Sequence, residues 1–199
     1  GGSLDVSGAT VSNISFGSSL GIYDGSAAVG SSEFNTGLDG GIEIYGGSVT
    51  LSDSRLSGYP SGNFASYGGI STLKGLRIED TNYGVSVYDG TVTLSESVFK
   101  GIVINAVENY SSNQVDARQN FWGDSSGPYD ANQNPSGLGY AIYGDVLFDP
   151  WLTSDPFAKS VCCSSVLFLP GIEASRLYKQ KTVLGLLVED QLWEPNGNS

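Results

Sequence analysis

The chain has 199 residues, 28 of them Gly and about 30 Ser, with 9 Lys+Arg against 21 Asp+Glu and neither His nor Met. Without His it cannot supply a Ser-His-Asp triad, a His-ligated zinc site or an imidazole base. A net charge of −12 argues against a nucleic-acid partner, because the phosphate backbone calls for clustered Lys and Arg.

With no Met to initiate it, the chain is expected to be an interior piece or processed product of a longer protein. Its length fits one domain, or one domain and a fragment of another, and 39% hydrophobic residues with 11% aromatics suffice for a packed core. No run approaches 18 apolar residues, so no membrane span is predicted. An acidic, Lys-poor, Ser/Thr/Gly/Asn-rich composition suits an exported, extracellular or cell-surface protein of bacterial type.

In chain order, the first predicted elements are short strands carrying related hexads: Ala9-Thr-Val-Ser-Asn-Ile14, then Ala27-Ala-Val-Gly-Ser-Ser32. The strongest self-match follows. Gly41-Ile-Glu-Ile-Tyr-Gly-Gly-Ser-Val-Thr-Leu-Ser-Asp-Ser-Arg-Leu-Ser-Gly58 repeats as Gly84-Val-Ser-Val-Tyr-Asp-Gly-Thr-Val-Thr-Leu-Ser-Glu-Ser-Val-Phe-Lys-Gly101, at an offset of 43 residues. Between the two copies, residues 58–67 read as a loop extruded from one coil, and Leu76–Thr81 as a weaker copy. Val115–Asn120 is the next.

The third positions of these hexads are Val11, Val29, Leu51, Ile78, Leu94 and Ala117, with gaps of 18, 22, 27, 16 and 23. Apolar residues alternate within each unit (Ile42/Ile44, Val49/Leu51, Val85/Val87, Val92/Leu94), the period of a strand with one face inward. Gly46-Gly47 and Asp89-Gly90 supply the tight corners. A unit of roughly 21 residues is too small to bury its own apolar face, so copies must stack. The prediction is an all-β chain, a parallel β-solenoid of about six coils over 1–150. An ordinary antiparallel sandwich is the competing reading.

This pattern resembles the right-handed parallel β-helix repeat family. The likeness strengthens at Asn120-Phe-Trp-Gly-Asp-Ser-Ser-Gly-Pro128 and Val146-Leu-Phe-Asp-Pro-Trp151, because such helices commonly end with similar segments. Phe121, Trp122, Phe148 and Trp151 suit the covering of a last coil, with 124–140 as a surface loop. Some members cleave polysaccharides, so the resemblance implies a glycan-facing surface.

Beyond Trp151 the character changes. Residues 151–165 read as a linker containing Cys162 and Cys163, whose adjacency disfavours a disulfide between them. Val166-Leu-Phe-Leu169 is a continuous apolar run of the kind found in a buried parallel strand. With Pro170-Gly171-Ile-Glu-Ala-Ser-Arg-Leu177 and Leu192-Trp-Glu-Pro195, residues 166–199 resemble the start of an α/β-hydrolase of the lecithin:cholesterol acyltransferase-like lipases. That resemblance implies an oxyanion-hole donor at the backbone N–H of Ile172. No G-x-S-x-G elbow occurs, so the catalytic residues of such an enzyme would lie beyond Ser199, and this chain holds none.

Among the remaining candidates, Tyr45 and Tyr88 share a repeat position and are the predicted glycan-stacking residues, stacking within the solenoid being the alternative role. Asp53, Asp80 and Glu96 recur by coil and are the only calcium candidates; a solvated ridge is the plainer reading, and no metal or cofactor is expected. Asn13-Ile-Ser15 and Asn109-Tyr-Ser111 are glycosylation sequons. The functional expectation is a monomeric, rigid extracellular scaffold or glycan-facing module joined to a lipase or esterase. Its rivals are a carbohydrate-active β-helix of the lyase or glycosidase kind and a purely structural adhesin stalk.

Overall fold

The computed structural model describes residues 2–14, 18–37, 39–158, 177–183 and 186–193. Two compact units result, Gly1–Ala158 and Lys159–Ser199. The described residues contain no helix, and therefore none able to cross a membrane. The first unit is a parallel β-solenoid of the right-handed type with about five turns, close to the six coils predicted.

Each turn has three faces. The first runs through Ser3–Ser7, Ser26–Gly30 and Ser48–Ser52, continuing into residues 70–74 and 91–95. The second runs through Thr10–Ile14, Glu33–Gly37 and Arg55–Ser57 to residues 77–79 and 98–100. The third joins Leu20–Ile22 and Ile42–Ile44 to residues 64–66, 85–87 and 107–109.

Alternation sends every second side chain inward, and parallel in-register pairing stacks those side chains in ladders. The first-face ladder is Val6–Val29–Leu51–Leu73–Leu94. The second is Val11–Phe34–Leu56–Ile78–Phe99. The third is Leu20–Ile42–Phe64–Val85–Val107. These ladders form one buried core.

The register corrects the sequence alignment of hexads. Val11 and Ile78 belong to the second face, whereas Val29, Leu51 and Leu94 belong to the first. Leu76–Thr81 is therefore no weaker copy of 49–54; the true counterpart of Val49–Ser54 begins at Ser71. Nor is 58–67 extruded. Phe64 pairs with Ile42 on one side and Val85 on the other, filling the third face of a regular coil.

The corner between the first and second faces turns at Ser31, Asp53, Gly75, Glu96 and Gln119, all with positive φ. Here inward serines replace backbone pairing. Ser54 Oγ accepts the Ser32 N–H at 3.0 Å and donates to the Ser52 carbonyl at 2.6 Å. Ser97 repeats the device toward Leu76 N–H (2.9 Å) and the Ser95 carbonyl (2.8 Å). Asn120 ends the column, accepting from Ser97 N–H and donating to the Leu94 and Ala117 carbonyls. A sharp corner misaligns the peptide ladder, and a hydroxyl that both accepts and donates keeps buried polar groups paired.

The second corner turns at Thr36, Gly58, Asp80 and Gly101, and the third at Gly25, Gly47, Gly69 and Gly90. At the third corner coils approach closely: a Cβ on Gly47 would stand 2.3 Å from the Gly25 carbonyl oxygen, at a φ of +74°. Only glycine fits both constraints.

The last coil is covered as the aromatic residues foretold. Trp122 is fully buried, stacked on Phe99 at 4.9 Å between centroids. Trp151 lies 6.1 Å from Phe148 and donates its indole N–H to the Ser125 carbonyl at 3.1 Å. The Trp151 ring fills the place a side chain on Gly127 would take. The first unit extends to Ala158, and the Arg77 guanidinium sits 4.3 Å above the Phe157 ring.

In the second unit, Leu177–Val183 and Leu186–Trp193 pair as an antiparallel hairpin. The apolar run 166–169, Ile172 and both cysteines lie outside the described residues.

Candidate functional site

The third face ends on a tyrosine in each coil, two residues before the corner glycines Gly25, Gly47, Gly69 and Gly90 and, at Tyr110, before a Ser-Ser-Asn turn. Tyr23, Tyr45, Tyr67, Tyr88 and Tyr110 recur at intervals of 22, 22, 21 and 22 residues. Because the coils are in register, these rings stack in one column, with centroids 4.7, 5.0, 4.9 and 5.5 Å apart and interplanar angles of 3°, 10°, 4° and 11°. Tyr143 adds a sixth ring, 5.3 Å from Tyr110 and tilted by 45°. Near-parallel rings report little rotation from coil to coil, the geometry of a flat stacked sheet.

All six rings are exposed, from 40% at Tyr67 to 72% at Tyr23. Six rings at the strand spacing make a strip on the order of 25 Å long. Neighbouring rings cover each other's faces, so the strip offers ring edges and phenolic oxygens to solvent.

Two of the hydroxyls are committed to carboxylates. Tyr45 donates to Glu43 at 3.0 Å, and Tyr110 to Glu108 at 3.0 Å. Both phenols are pushed up to about 12, first because the neutral form donates that hydrogen bond and then because of burial. Tyr67 and Tyr88 are raised chiefly by burial, with further upward pressure from the nearby charges of Glu43 and Glu108 respectively.

Glu108 is 3% exposed and accepts from the Ser86 hydroxyl (3.0 Å), the Asn105 amide (3.3 Å) and Tyr110. Those partners are all neutral. The third face and its corners also carry Asp24, Asp89 and Asp145, and no Lys or Arg. The cations of the solenoid lie elsewhere. Arg55 bridges Glu33 (2.9 Å) and Glu79 (2.8 Å) on the second face, Lys74 meets Glu96 at 3.1 Å, and Arg118 meets Asp116 at 2.7 Å. An open depression of about 280 Å³ lies beside that last pair. The Arg118 hydrogen bond holds the Asp116 carboxyl below its usual range, so the pair is already self-neutralised.

The sequence candidates are distributed as follows. Tyr45 and Tyr88 do share a column, but they stand two coils apart with the Tyr67 ring between them. Asp53 and Glu96 share the first corner with Gly75 between, whereas Asp80 turns the second corner and does not join them. Among the described residues no three His, Cys, Asp or Glu side chains converge as metal ligands would. Asn109 of the second sequon is 3% exposed; its amide donates to the Asn113 and Asp145 carbonyls and accepts from Ser111, which closes it to glycan attachment in the folded chain. The side chain of Asn13 lies outside the described residues.

Sequence reasoning missed Tyr23, Tyr67, Tyr110 and Tyr143 as members of one strip. The signal was present in the recurrence of tyrosine every 21 or 22 residues, but Tyr67 fell inside the segment read as a loop. A comparison with protein-family models finds no match, and neither the curated proteins nor the solved structures give a significant one.

Proposed function

We propose that the solenoid is a rigid extracellular scaffold whose third face docks against a glycan. The six-tyrosine strip is the observation that carries this reading. Its phenolic oxygens recur about every 5 Å along the solenoid axis, close to the length of one pyranose unit in an extended chain, so an elongated polysaccharide lying along the axis meets one phenol per sugar. Tyr is well suited to the task because its apolar body packs in the stack while its oxygen stays wet.

Binding is the preferred reading, and the two glutamates of the face are not spaced as a glycosidase pair. Glu43 and Glu108 share the outward column of this face but stand three coils apart, roughly 14 Å at the strand spacing, whereas paired glycosidase carboxylates lie within about 9.5 Å of each other. The test is binding of the full chain to immobilised polysaccharides, alongside the triple variant Tyr45→Ser, Tyr67→Ser, Tyr88→Ser. The expected result is retention by at least one polymer and its loss in the variant, with circular dichroism unchanged. Retention undiminished in the variant overturns the reading, and so does polymer cleavage by the wild-type chain.

The same reading joins the scaffold to an ester hydrolase beginning near Val166, with the Ile172 amide as an oxyanion donor. Support for this part comes from the sequence resemblance alone. The gene sequence beyond Ser199 tests it: a G-x-S-x-G elbow and a later His are expected, and their absence removes the proposal.

A further inference from the structure

The segregation of charge around the solenoid says more about the occupant of the tyrosine strip. We propose that the strip binds a cationic polysaccharide, a polymer of amino sugars bearing free, protonated amines. The inference rests on the glycan reading above and narrows it to one chemical class.

The first observation is the sign of the face. Asp24, Glu43, Asp89, Glu108 and Asp145 border the strip, and Arg55, Arg77, Lys74, Lys100 and Arg118 all sit on or beside the other two faces. Every ion pair among the described residues of the solenoid uses one of those distant cations. The carboxylates at the strip are instead held by neutral donors: Asp24 by the Gly25 N–H and Asp89 by the Gly90 N–H, each at 2.7 Å, and Asp145 by the Gln114 amide at 2.8 Å. Such bonds fix the carboxylates without cancelling their charge. An anionic polyuronate would meet four like charges on this face, Asp24, Glu43, Asp89 and Asp145, with the buried Glu108 behind them, while an ammonium-bearing chain meets four opposite ones.

The second observation is the direction of the hydrogen bonds. Tyr45 and Tyr110 each spend their only O–H on a carboxylate, which leaves the phenolic oxygens of those rings as acceptors toward solvent. At those two rings, beside the carboxylates, the surface is one of acceptors and asks for a ligand rich in donors. A protonated amine brings three N–H donors and a positive charge, where a neutral sugar hydroxyl brings one donor.

The third is geometric. The stacked rings hide their faces, so face-on stacking of neutral pyranoses is available only at the ends of the column. The edges present a regular row of oxygens flanked by carboxylates, and a linear polymer with one amine per sugar repeats at a matching interval along it.

The experiment measures retention of the full chain by four polymers at mildly acidic pH, where sugar amines are protonated. The four are chitosan, its fully N-acetylated counterpart chitin, cellulose and polygalacturonate, and polylysine serves as a non-sugar cation. The expected result is tightest binding to chitosan, at least about tenfold weaker binding to chitin, and a fall of similar size on raising the salt by an order of magnitude. The pair Glu43→Gln, Asp89→Asn should weaken chitosan binding several-fold without altering the circular dichroism spectrum. Equal or tighter binding to chitin, cellulose or polygalacturonate overturns the charge inference and leaves the glycan reading standing. Retention by polylysine as strong as by chitosan overturns the amino-sugar assignment in favour of a basic protein partner. Binding to none of the five overturns both readings.

Discussion

Two serines, both replaced by alanine, should move stability in opposite directions. Ser54 and Ser71 are both buried, at 4% and 0% exposure, and both point into the interior. Ser54 Oγ holds two partners, the Ser32 N–H and the Ser52 carbonyl. Ser71 Oγ has none; it occupies the inner position held by Val49 in the coil before and Val92 in the coil after. Removing the Ser54 hydroxyl forfeits both bonds: the one to the Ser52 carbonyl is worth about 1 kcal/mol, and loss of the other leaves the buried Ser32 N–H unpaired, a further ~1–2 kcal/mol. Removing the Ser71 hydroxyl relieves a desolvated group with no compensating bond, a gain of about 1 kcal/mol. The gap between the two variants is therefore about 3–4 kcal/mol. For a domain of this size that corresponds to a Tm difference of roughly 10 °C. Thermal melts and urea midpoints measure the gap, and amide exchange at Ser32 should accelerate in Ser54→Ala alone. Equal shifts in the two variants would refute the claim that the corner hydroxyls hold the coils together.

Leu51 is fully buried in the first-face ladder, so Leu51→Asp should cost several kcal/mol and abolish the cooperative melt; retention of wild-type Tm would refute its inward assignment. Trp122→Ala should cost about 3–5 kcal/mol, whereas Trp122→Phe should cost markedly less, because its buried indole N–H has no partner to lose; equal losses in urea titration would count against that account. Tyr45 and Tyr110 ionise near 12 when folded against about 10 unfolded. Their contribution to stability is complete below pH ~10 and fades as pH climbs toward 12. In a spectrophotometric titration, Glu43→Gln should return one tyrosine toward the ordinary range, and an unchanged curve would sink the assignment.

The architecture was readable because period-two alternation and repeated Gly corners are local signals. Register was less readable. The coil containing Phe64, Ser66 and Ser71 replaces the Ile44, Val49, Val87 and Val92 type of residue with serine at inner positions. A coil whose inner side chains are part-polar looks like a loop when hydrophobicity is the guide. Its buried side chains are tolerated because the ladders on either side supply the apolar contact, and because Ser66 Oγ reaches the Asp89 carbonyl at 2.9 Å. Losing that coil shifted the alignment by one face, which placed Asp80 beside Asp53 and Glu96 and hid Tyr67. The cap was legible in Trp122, Phe148 and Trp151, since large aromatics clustered after a repeat have few other roles, while Phe121 alternates with Trp122 and is not part of the core.

The corners hold a last consequence, for how such a molecule can lengthen or shorten. Asp53 stands where its neighbour above has Gly75, and a side chain on Gly75 would start 2.7 Å from the Asp53 carboxylate; Gly101 stands in the same relation to Asp80, at 2.5 Å. Over three successive coils the places alternate, Asp53, Gly75 and Glu96 at the first corner against Gly58, Asp80 and Gly101 at the second, while the coil before carries Ser31 and Thr36. Within that stretch the interchangeable brick is a pair of coils, and this is why the strongest self-match falls at an offset of 43 residues rather than one turn. Excising 69–89 would seat Glu96 directly on Asp53, while excising 47–89 would seat Glu96 on Ser31 and Gly101 on Thr36, the neighbours that Asp53 and Gly58 have now. The longer deletion should melt higher than the shorter one, an order that inverts if coils are added singly.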